Sequence, residues 1–152
     1  MPSRGGLISN VARTRHPTHW AAQFAVAGEL CKRGYDVGFT MGNTTPEADL
    51  FVRSPSGEPF LVEVKGLKKG PKKSGNFWLI KEPHPRPSLY YVLTYVPINE
   101  PNRYFVLTCD EVIQEVNAWL AAGGKLTEKF RKPRMNWAAA GPYEDRWEKL
   151  PR

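Results

Sequence analysis

Two short apolar segments joined by a turn constrain the fold of this chain more than any other part of its sequence. The first segment follows Asp49 and ends at Arg53, and the second runs from Pro59 to Lys65. A hairpin that pairs Arg53 with Pro59 would place Asp49 directly opposite Glu63. Because side chains alternate across a strand, Glu63 and Lys65 share one face. The sequence therefore predicts two carboxylates and an ammonium group at one spot.

Two simpler interpretations compete with this one. Glu63 and Lys65 could form only an ion pair on a solvated strand, worth under about 1 kcal/mol. The apolar residues around them favour a strand that is more buried than an ordinary edge. Glu47 is a second acid before the first segment, but Asp49 directly precedes the apolar strand and is held there more rigidly. We therefore favour Asp49.

These side chains have the chemistry that phosphodiester hydrolysis needs. The reaction requires an activated water and positive charge beside the phosphate. Mg²⁺ prefers carboxylate and carbonyl oxygens, so the candidate ligands are Asp49, Glu63 and the backbone carbonyl of Val64. Lys65 can orient the attacking water and offset negative charge on the phosphate. We therefore expect a metal-dependent phosphodiesterase.

The rest of the chain predicts helices and strands around this hairpin. A helix is expected from Thr18, its N-cap, to about Arg33. A second helix, capped by Thr108 or Asp110, is expected over about Glu111–Ala122. Further strands are expected at 35–40, 76–81, 89–96 and 104–107. This order predicts an α/β arrangement, with a central sheet covered by helices.

The first helix is expected to bury one stripe of side chains, with other residues at its edge or on the far side. The stripe consists of Trp20, Phe24, Ala27 and Cys31, with Gln23 and Leu30 at its edge. The far side carries Glu29, Lys32 and Arg33. We therefore expect the helix to pack this face against another part of the domain.

Length and composition predict one domain. At 152 residues and 41% hydrophobic, the chain suits a single domain over 18–152, preceded by a flexible polar arm over 1–17. The segment Tyr143–Trp147, together with Trp137 and Phe130, is expected to pack back on this domain. The sequence has no secretory signal and no run of roughly 20 apolar residues, so we expect a cytoplasmic protein without a membrane partner. Cys31 and Cys109 have neither zinc-site nor disulfide-framework spacing.

The net charge of +7 is concentrated after the predicted acidic site. Between Lys65 and Arg86 there are seven bases and one acid, whereas the rest of the chain is nearly balanced. Such a run can follow the backbone of a nucleic acid. Lysine-rich loops can also serve solubility alone, but this run begins at the predicted site itself. The candidate phosphate-binding residues are Lys68, Lys69, Lys72, Lys73 and Lys81.

Together these features resemble the PD-(D/E)xK nuclease superfamily, which has the restriction-endonuclease-like fold. The resemblance covers roughly residues 18–108. It is carried by the helix at 23–35, by Asp49 at the head of a strand, and by Glu63-Val64-Lys65 at the end of the next. It implies a central mixed sheet flanked by helices, a catalytic core of Asp49, Glu63 and Lys65, and Mg²⁺ or Mn²⁺ as cofactor.

The sequence departs from that family at the first helix, where the family often places a glutamate. The two candidates here are Gln23 and Glu29. Gln23 lies at the edge of the core-facing stripe, about eleven residues before Gly34, whereas Glu29 points to the far face. We take Gln23 as an accessory catalytic residue and Glu29 as a surface acid. Because glutamine carries no charge, metal affinity is expected to be lower than in members with the glutamate.

The expected function is that of a Mg²⁺-dependent endonuclease, and the resemblance implies DNA as the substrate. A non-catalytic nucleic-acid-binding module on the same fold is the alternative, because the helical glutamate is missing. A protein-interaction domain for an acidic partner is a third class. Cleavage of both strands of a duplex usually needs two active sites, so a homodimer is plausible. The sequence leaves open DNA or RNA, the shape of the target and the biological pathway.

Overall fold

The structure of the protein, a computed structural model, describes residues 10–40, 48–71, 76–79, 84–128 and 132–152, with side chains from residue 17 onward except at position 78. The helices and strands follow one another in the order α1 (Asn10–Lys32), β1 (Asp36–Phe39), β2 (Leu50–Arg53), β3 (Pro59–Leu67), β4 (Phe77–Trp78), β5 (Leu89–Tyr95), β6 (Arg103–Thr108), α2 (Cys109–Ala121), β7 (Arg134–Met135) and α3 (Trp137–Ala140). Two 3-10 turns follow at Gly141–Tyr143 and Trp147–Lys149.

Five strands form a mixed central sheet in the order β1-β2-β3-β5-β6. Strands β1, β2 and β3 pair antiparallel, β3 and β5 pair parallel, and β5 and β6 pair antiparallel. The short strands β4 and β7 pair with each other in a separate ribbon. Helices cover both faces of the central sheet. The predicted α/β fold, a mixed sheet flanked by helices, is therefore confirmed.

The turn between β2 and β3 fixes the register of the central hairpin. Arg53 pairs with Pro59, as expected. The backbone amide of Ser54 donates to the carbonyl of Glu58 at 2.8 Å, and the Ser54 hydroxyl accepts the Glu58 amide at 3.0 Å. Gly57 has a φ of 97°, which glycine adopts readily. A fixed register matters because a slip by one residue would move every side chain to the other face.

Two hydrophobic clusters occupy the two faces of the sheet. The cluster under α1 includes Ala22, Val26, Leu30, Leu50, Val62, Val64, Val92 and Val106. The cluster under α2 includes Tyr91, Leu93, Phe105, Leu107, Val112 and Val116. Leu61 and Leu67 of β3 also pack against the α2 cluster. Because side chains alternate along β3, Glu63 and Lys65 belong to the α2 face.

Helix α1 begins at Asn10, so the predicted start at Thr18 is wrong. Pro17 lies inside the helix. A proline removes one helical hydrogen bond, but a longer helix can continue past it. The polar segment that ends at Pro17 was therefore wrongly excluded from the helix. Residues 10–17 are helical, while 1–9 lie outside the described residues. The division of the chain into an arm and one domain stays a prediction.

The buried stripe of α1 also differs from the prediction. Phe24 is 61% exposed and Cys31 is exposed, whereas Ala22, Val26 and Leu30 are fully buried. The reason is a close approach of α1 to β3. A methyl group added at Gly66 would lie 2.8 Å from the Ala22 Cβ and 3.0 Å from the backbone oxygen of Thr18. Small side chains therefore face the sheet, and the larger aromatic residues lie beside it.

The segment after α2 packs back on the domain, as expected for its aromatic residues. Trp147 is buried under α1, with its ring centroid 5.4 Å from that of Tyr104. The Trp137 ring lies 5.6 Å from that of Phe105 on the opposite face. The expectation is therefore confirmed for both tryptophans, whereas Phe130 lies outside the described residues.

Candidate active site

Asp49 lies immediately before β2, where regular strand pairing ends. Leu50 pairs with Val62, so an unbroken ladder would pair Asp49 with Glu63. The amide of Asp49 instead donates to the carbonyl of Val62 at 3.1 Å, one residue short of that position. The chain bends at Asp49. The predicted position directly opposite Glu63 is therefore wrong, because the ladder slips by one residue at this point.

The Asp49 carboxylate is buried and tied to the middle of the Glu-x-Lys sequence. Its Oδ2 accepts a hydrogen bond from the Val64 amide at 2.8 Å, and its Oδ1 accepts one from Gln23 Nε2 at 3.3 Å. Asp49 is 8% exposed. A buried carboxylate needs such partners because its loss of hydration is otherwise costly. Val64 lies between Glu63 and Lys65 in β3. The hydrogen bond to its amide therefore holds the Asp49 carboxylate against the backbone of the Glu-x-Lys sequence.

Helix α1 contributes two polar side chains to this corner of the sheet. Gln23 is 4% exposed, and its Nε2 also donates to His19 Nε2 at 2.7 Å. His19 Nε2 lies 3.5 Å from Asp49 Oδ1. His19 and Gln23 are four residues apart, so both project from one face of the helix. The geometry thus groups His19, Gln23 and Asp49.

Glu29, the other candidate on α1, does not reach this site. Its carboxylate pairs with Lys32 at 3.0 Å and with Arg33 at 3.7 Å. Lys32 is the last residue of α1 and Arg33 follows it, so both partners lie at the C-terminal end of the helix. The structure therefore brings Gln23, and not Glu29, to Asp49.

Glu63 and Lys65 form an ion pair on the α2 face of β3. Lys65 Nζ donates to Glu63 Oε1 at 2.5 Å, and each side chain is 21% exposed. Tyr91 is the ladder partner of Glu63 on β5. Burial raises the pKa of the Tyr91 phenol, with smaller contributions from Cys109 and Glu63. Tyr91 therefore stays protonated beside the ion pair at neutral pH.

The four predicted catalytic residues thus form two groups that meet at Val64. Gln23 and Asp49 interact on the α1 side, while Glu63 and Lys65 interact on the other face of β3. Among the described residues, no three His, Cys, Asp or Glu side chains are grouped closely enough to hold a metal ion. The donor set nevertheless suits a divalent cation, because each carboxylate oxygen has more than one lone pair. Asp49 can therefore keep its present partners and still bind an ion.

The predicted phosphate-binding lysines are only partly described. Lys68 and Lys69 are exposed and follow directly after β3. Lys72, Lys73 and Lys81 lie outside the described residues. Exposed ammonium groups at the end of β3 are close in sequence to Lys65, but the interface with a nucleic acid stays a prediction.

His19 is the site residue that the sequence prediction missed. The sequence favours an ordinary surface histidine here, because it offers no placed Ser or Cys nucleophile for a catalytic triad. The useful signal was its spacing of four residues from Gln23, which places both on one face of a helix. In the structure the His19 side chain is one-third exposed, with its ring nitrogen directed at Gln23 and Asp49.

None of the helices in the described part of the chain combines the length and the apolar character that a bilayer-spanning segment needs.

Comparisons with known proteins support the fold. No family model matches the chain, and no curated protein is detectably similar in sequence. Among solved structures, the fold is similar to that of a bacterial homing endonuclease, I-Ssp6803I. The match covers 88% of this chain and 90% of that chain, with a TM-score of 0.51 and 18% sequence identity. The chain therefore has a mixed α/β fold similar to that of an endonuclease.

Proposed function

We propose that the protein is a metal-dependent nuclease of the PD-(D/E)xK superfamily that hydrolyses phosphodiester bonds in DNA. One observation carries the proposal. The buried Asp49 carboxylate accepts the amide of Val64, the residue between Glu63 and Lys65, on a fold similar to that of an endonuclease. This hydrogen bond places the Asp49 carboxylate next to the strand residue that separates Glu63 from Lys65.

Asp49 would hold a divalent cation, Mg²⁺ or Mn²⁺, together with the backbone carbonyl of Val64, and Glu63 would have to reach this cation from the other face of β3. When bound, the cation supplies positive charge to the phosphate and lowers the pKa of a bound water. Asp49 is prepared for this role because its position is fixed by Val64 and Gln23. Gln23 would keep the carboxylate oriented and contributes no charge of its own. This is a reason to expect modest metal affinity.

Lys65 would act on the attacking water and on the phosphate. Its ammonium group is held by Glu63 and remains partly open to solvent. A cation at this position favours the deprotonated form of a nearby water and offsets the charge that develops on the phosphate. The Glu63 carboxylate therefore positions Lys65 in addition to serving as a candidate ligand.

Binding of DNA would depend on the positive charge of the chain. The net charge is +7, and Lys68 and Lys69 are exposed beside the end of β3. Each phosphate contact releases counterions, so affinity should fall steeply with salt. Double-strand cleavage would need two active sites, and we propose that two copies associate on the DNA.

A digestion assay with Mg²⁺ or Mn²⁺ on plasmid and single-stranded DNA tests the proposal. Lys65→Ala should reduce cleavage by at least about 100-fold, because proton-transfer groups contribute at least that much. Its affinity for DNA should stay close to that of the wild type. Lys32→Ala is the matched control, since it removes the same charge from an exposed lysine paired with Glu29.

Two outcomes would contradict the proposal. Wild-type cleavage by a folded Lys65→Ala variant would refute the mechanism. Salt-sensitive DNA binding by the wild-type protein, without cleavage in either metal, would instead favour a non-catalytic nucleic-acid-binding module. This second function is favoured by Gln23, which stands where the nuclease superfamily often has a glutamate.

A further inference from the structure

Three polar atoms form a small triangle where α1 meets the start of β2. Gln23 Nε2 lies 2.7 Å from His19 Nε2 and 3.3 Å from Asp49 Oδ1, and the third side, from His19 Nε2 to Asp49 Oδ1, is 3.5 Å. The amide group of Gln23 donates to the other two atoms. Both acceptors therefore direct a lone pair at Gln23 Nε2.

The triangle has the size of one face of an octahedral metal site. In such a site, with bonds of about 2.1 Å, neighbouring ligand atoms lie about 3 Å apart. Rotation of the Gln23 amide by 180° would bring Oε1 to the place that Nε2 now occupies. The three groups would then offer one imidazole nitrogen, one amide oxygen and one carboxylate oxygen.

This donor set differs in character from the all-oxygen set of Asp49, Glu63 and Val64. Mg²⁺ prefers oxygen ligands and several waters. An imidazole nitrogen favours first-row transition ions, with affinity rising from Mn²⁺ through Co²⁺ to Ni²⁺. One carboxylate and two neutral donors leave part of the coordination shell for water or phosphate oxygen.

The surrounding structure already holds two of the three donors in place. Gln23 is 4% exposed and Asp49 is 8% exposed, and Asp49 Oδ2 is fixed by the Val64 amide. Close packing of α1 on Gly66 sets the distance between the helix and β3. The His19 side chain is 33% exposed, which gives an ion a route from solvent. A site that is ordered before binding loses less entropy when it binds.

We propose that His19, Gln23 and Asp49 form a site for a divalent transition ion of the Mn²⁺–Co²⁺–Ni²⁺ series. The proposal goes beyond the proposed nuclease function, with which it shares Asp49, because it gives the ion a different donor set. It assigns to His19 the role of a metal ligand, and it places the ion on the α1 side of β3.

Direct metal binding tests this site without reference to activity. Mn²⁺ binding can be followed by the loss of the free-ion signal in electron paramagnetic resonance, and Co²⁺ and Mg²⁺ binding by calorimetry. His19→Ala should weaken Mn²⁺ and Co²⁺ binding by about tenfold or more, and Mg²⁺ binding much less. His84→Ala is the matched control, because His84 is exposed and its side chain lies outside this group. It should leave all three affinities unchanged.

A second measurement uses the wild-type protein, so it does not depend on a variant that folds. Co²⁺ is paramagnetic, and its addition should strongly shift the imidazole proton resonances of His19. Those of His84 should stay in place. Unshifted His19 resonances at saturating Co²⁺ would overturn the proposal. Unchanged Co²⁺ affinity in His19→Ala, together with a loss in Glu63→Gln, would also overturn it by placing the ion on the other face of β3.

The two proposals can fail separately. Co²⁺ bound through His19 in a protein that cleaves no DNA would sink the nuclease function and support the metal site. Mg²⁺-dependent cleavage with a His19→Ala variant that keeps its Co²⁺ affinity would do the opposite.

Discussion

Asp49 is a buried carboxylate whose two oxygens have different partners. Oδ2 is bound to the backbone of β3, and Oδ1 faces the side chains of α1. The contact with β3 fixes the position of the Asp49 carboxylate. The contact with α1 determines which side chain lies beside its negative charge. Because Gln23 is neutral, Asp49 lacks a like-charged neighbour on α1 at hydrogen-bond distance.

Gln23→Glu should therefore destabilise the protein in the absence of metal. The new carboxylate would take the place of a donor 3.3 Å from Asp49 Oδ1, so two buried acids would repel each other. A divalent cation should relieve this repulsion and raise the melting temperature of the variant more than that of the wild type. Thermal unfolding with EDTA and then with Mg²⁺ or Mn²⁺ measures both effects.

Gln114→Glu is the control for this substitution, because Gln114 is exposed on α2. It should leave the melting temperature nearly unchanged under both conditions. A Gln23→Glu variant as stable as the wild type in EDTA would show that position 23 does not face the Asp49 carboxylate.

At this scale the sequence predicts those residues whose placement follows from strand alternation. Glu63 and Lys65 share a face because they are two residues apart in β3. Asp49 lies directly before β2, as the sequence predicts, but its offset from the ladder could not be predicted. A one-residue slip depends on backbone hydrogen bonds made where strand and loop meet. His19 was missed because its contact with Asp49 depends on how α1 packs beside β2 and β3.

At the scale of elements, the contact between α1 and β3 positions the α1 half of the site. The helix touches the strand at Gly66, directly after Lys65. Thr18 and Ala22 make this contact, and His19 and Gln23 lie next to them in the helix. A change in the spacing of helix and strand would therefore move both polar side chains away from Asp49.

Gly66→Ala should push α1 away from β3. Its methyl group would lie 2.8 Å from the Ala22 Cβ and 3.0 Å from the backbone oxygen of Thr18, neither of which can move aside alone. We expect a loss of about 1–3 kcal/mol in the free energy of unfolding, as for other overpacked sites. We also expect weaker binding of Mn²⁺. Urea unfolding and metal titration measure the two effects.

Gly28→Ala is the matched control on the same helix. A methyl group there meets nothing within 4 Å, so helix propensity should dominate. We expect a gain of up to about 1 kcal/mol and unchanged metal binding. Equal behaviour of the two variants would contradict close packing at Gly66.

Helix α2 begins with a capping box that the sequence predicts in part. The Thr108 hydroxyl accepts the Glu111 amide at 3.2 Å, and the Glu111 carboxylate accepts the Thr108 amide at 2.9 Å. Thr108→Ala should cost about 1 kcal/mol in the free energy of unfolding. Thr108→Ser keeps the hydroxyl and should recover most of this loss. Equal unfolding midpoints for the two variants would show that the cap contributes little.

Among the elements, the strands and α2 were easier to predict than α1. The turn at 54–58 sets the pairing of β2 with β3 locally, so the sequence carries that information. The buried side of α1 depends instead on how closely β3 approaches it. That distance is set by Gly66, which is more than thirty residues away from the helix in the sequence. Helical periodicity therefore correctly selected Ala27 but missed Ala22 and Val26.

At the scale of the whole molecule, the segment after α2 joins both faces of the sheet. Trp147 and Leu150 enter the α1 cluster, while Met135 and Ala140 enter the α2 cluster. Arg103 of β6 holds Glu144 through two hydrogen bonds of 2.7 and 2.8 Å. This segment has no sustained periodicity, so its path could not be derived from the sequence. Its position depends on pockets that exist only after the sheet has formed.

The Arg103–Glu144 pair should make stability depend on pH. Hydrogen bonding to Arg103 lowers the pKa of Glu144 below its usual 4.5. The pair therefore contributes its full stability above about pH 4.5, and this is lost as the pH falls through the lower folded-state pKa. Glu144→Gln should destabilise the protein at pH 7 by under about 1 kcal/mol, because the pair is partly exposed. The difference from the wild type should shrink near pH 3.

Urea unfolding of both proteins at the two pH values measures this difference. Glu148→Gln, which removes an exposed partner of Arg146, should have a smaller effect at pH 7. A Glu144→Gln deficit of the same size at both pH values would contradict the assignment.

The same C-terminal segment closes one margin of the sheet. Glu144 bridges to Phe105, and the Asp145 amide donates to the carbonyl of Tyr104 at 2.9 Å, so the outer side of β6 already has a neighbour. At the other margin, the ladder of β1 runs only with β2 in the part of the chain that the structure describes. A strand donated by another polypeptide would therefore have to align beside β1. Two copies joined in this way would meet edge to edge, with their Asp49 side chains on separate halves of one continuous ten-stranded sheet.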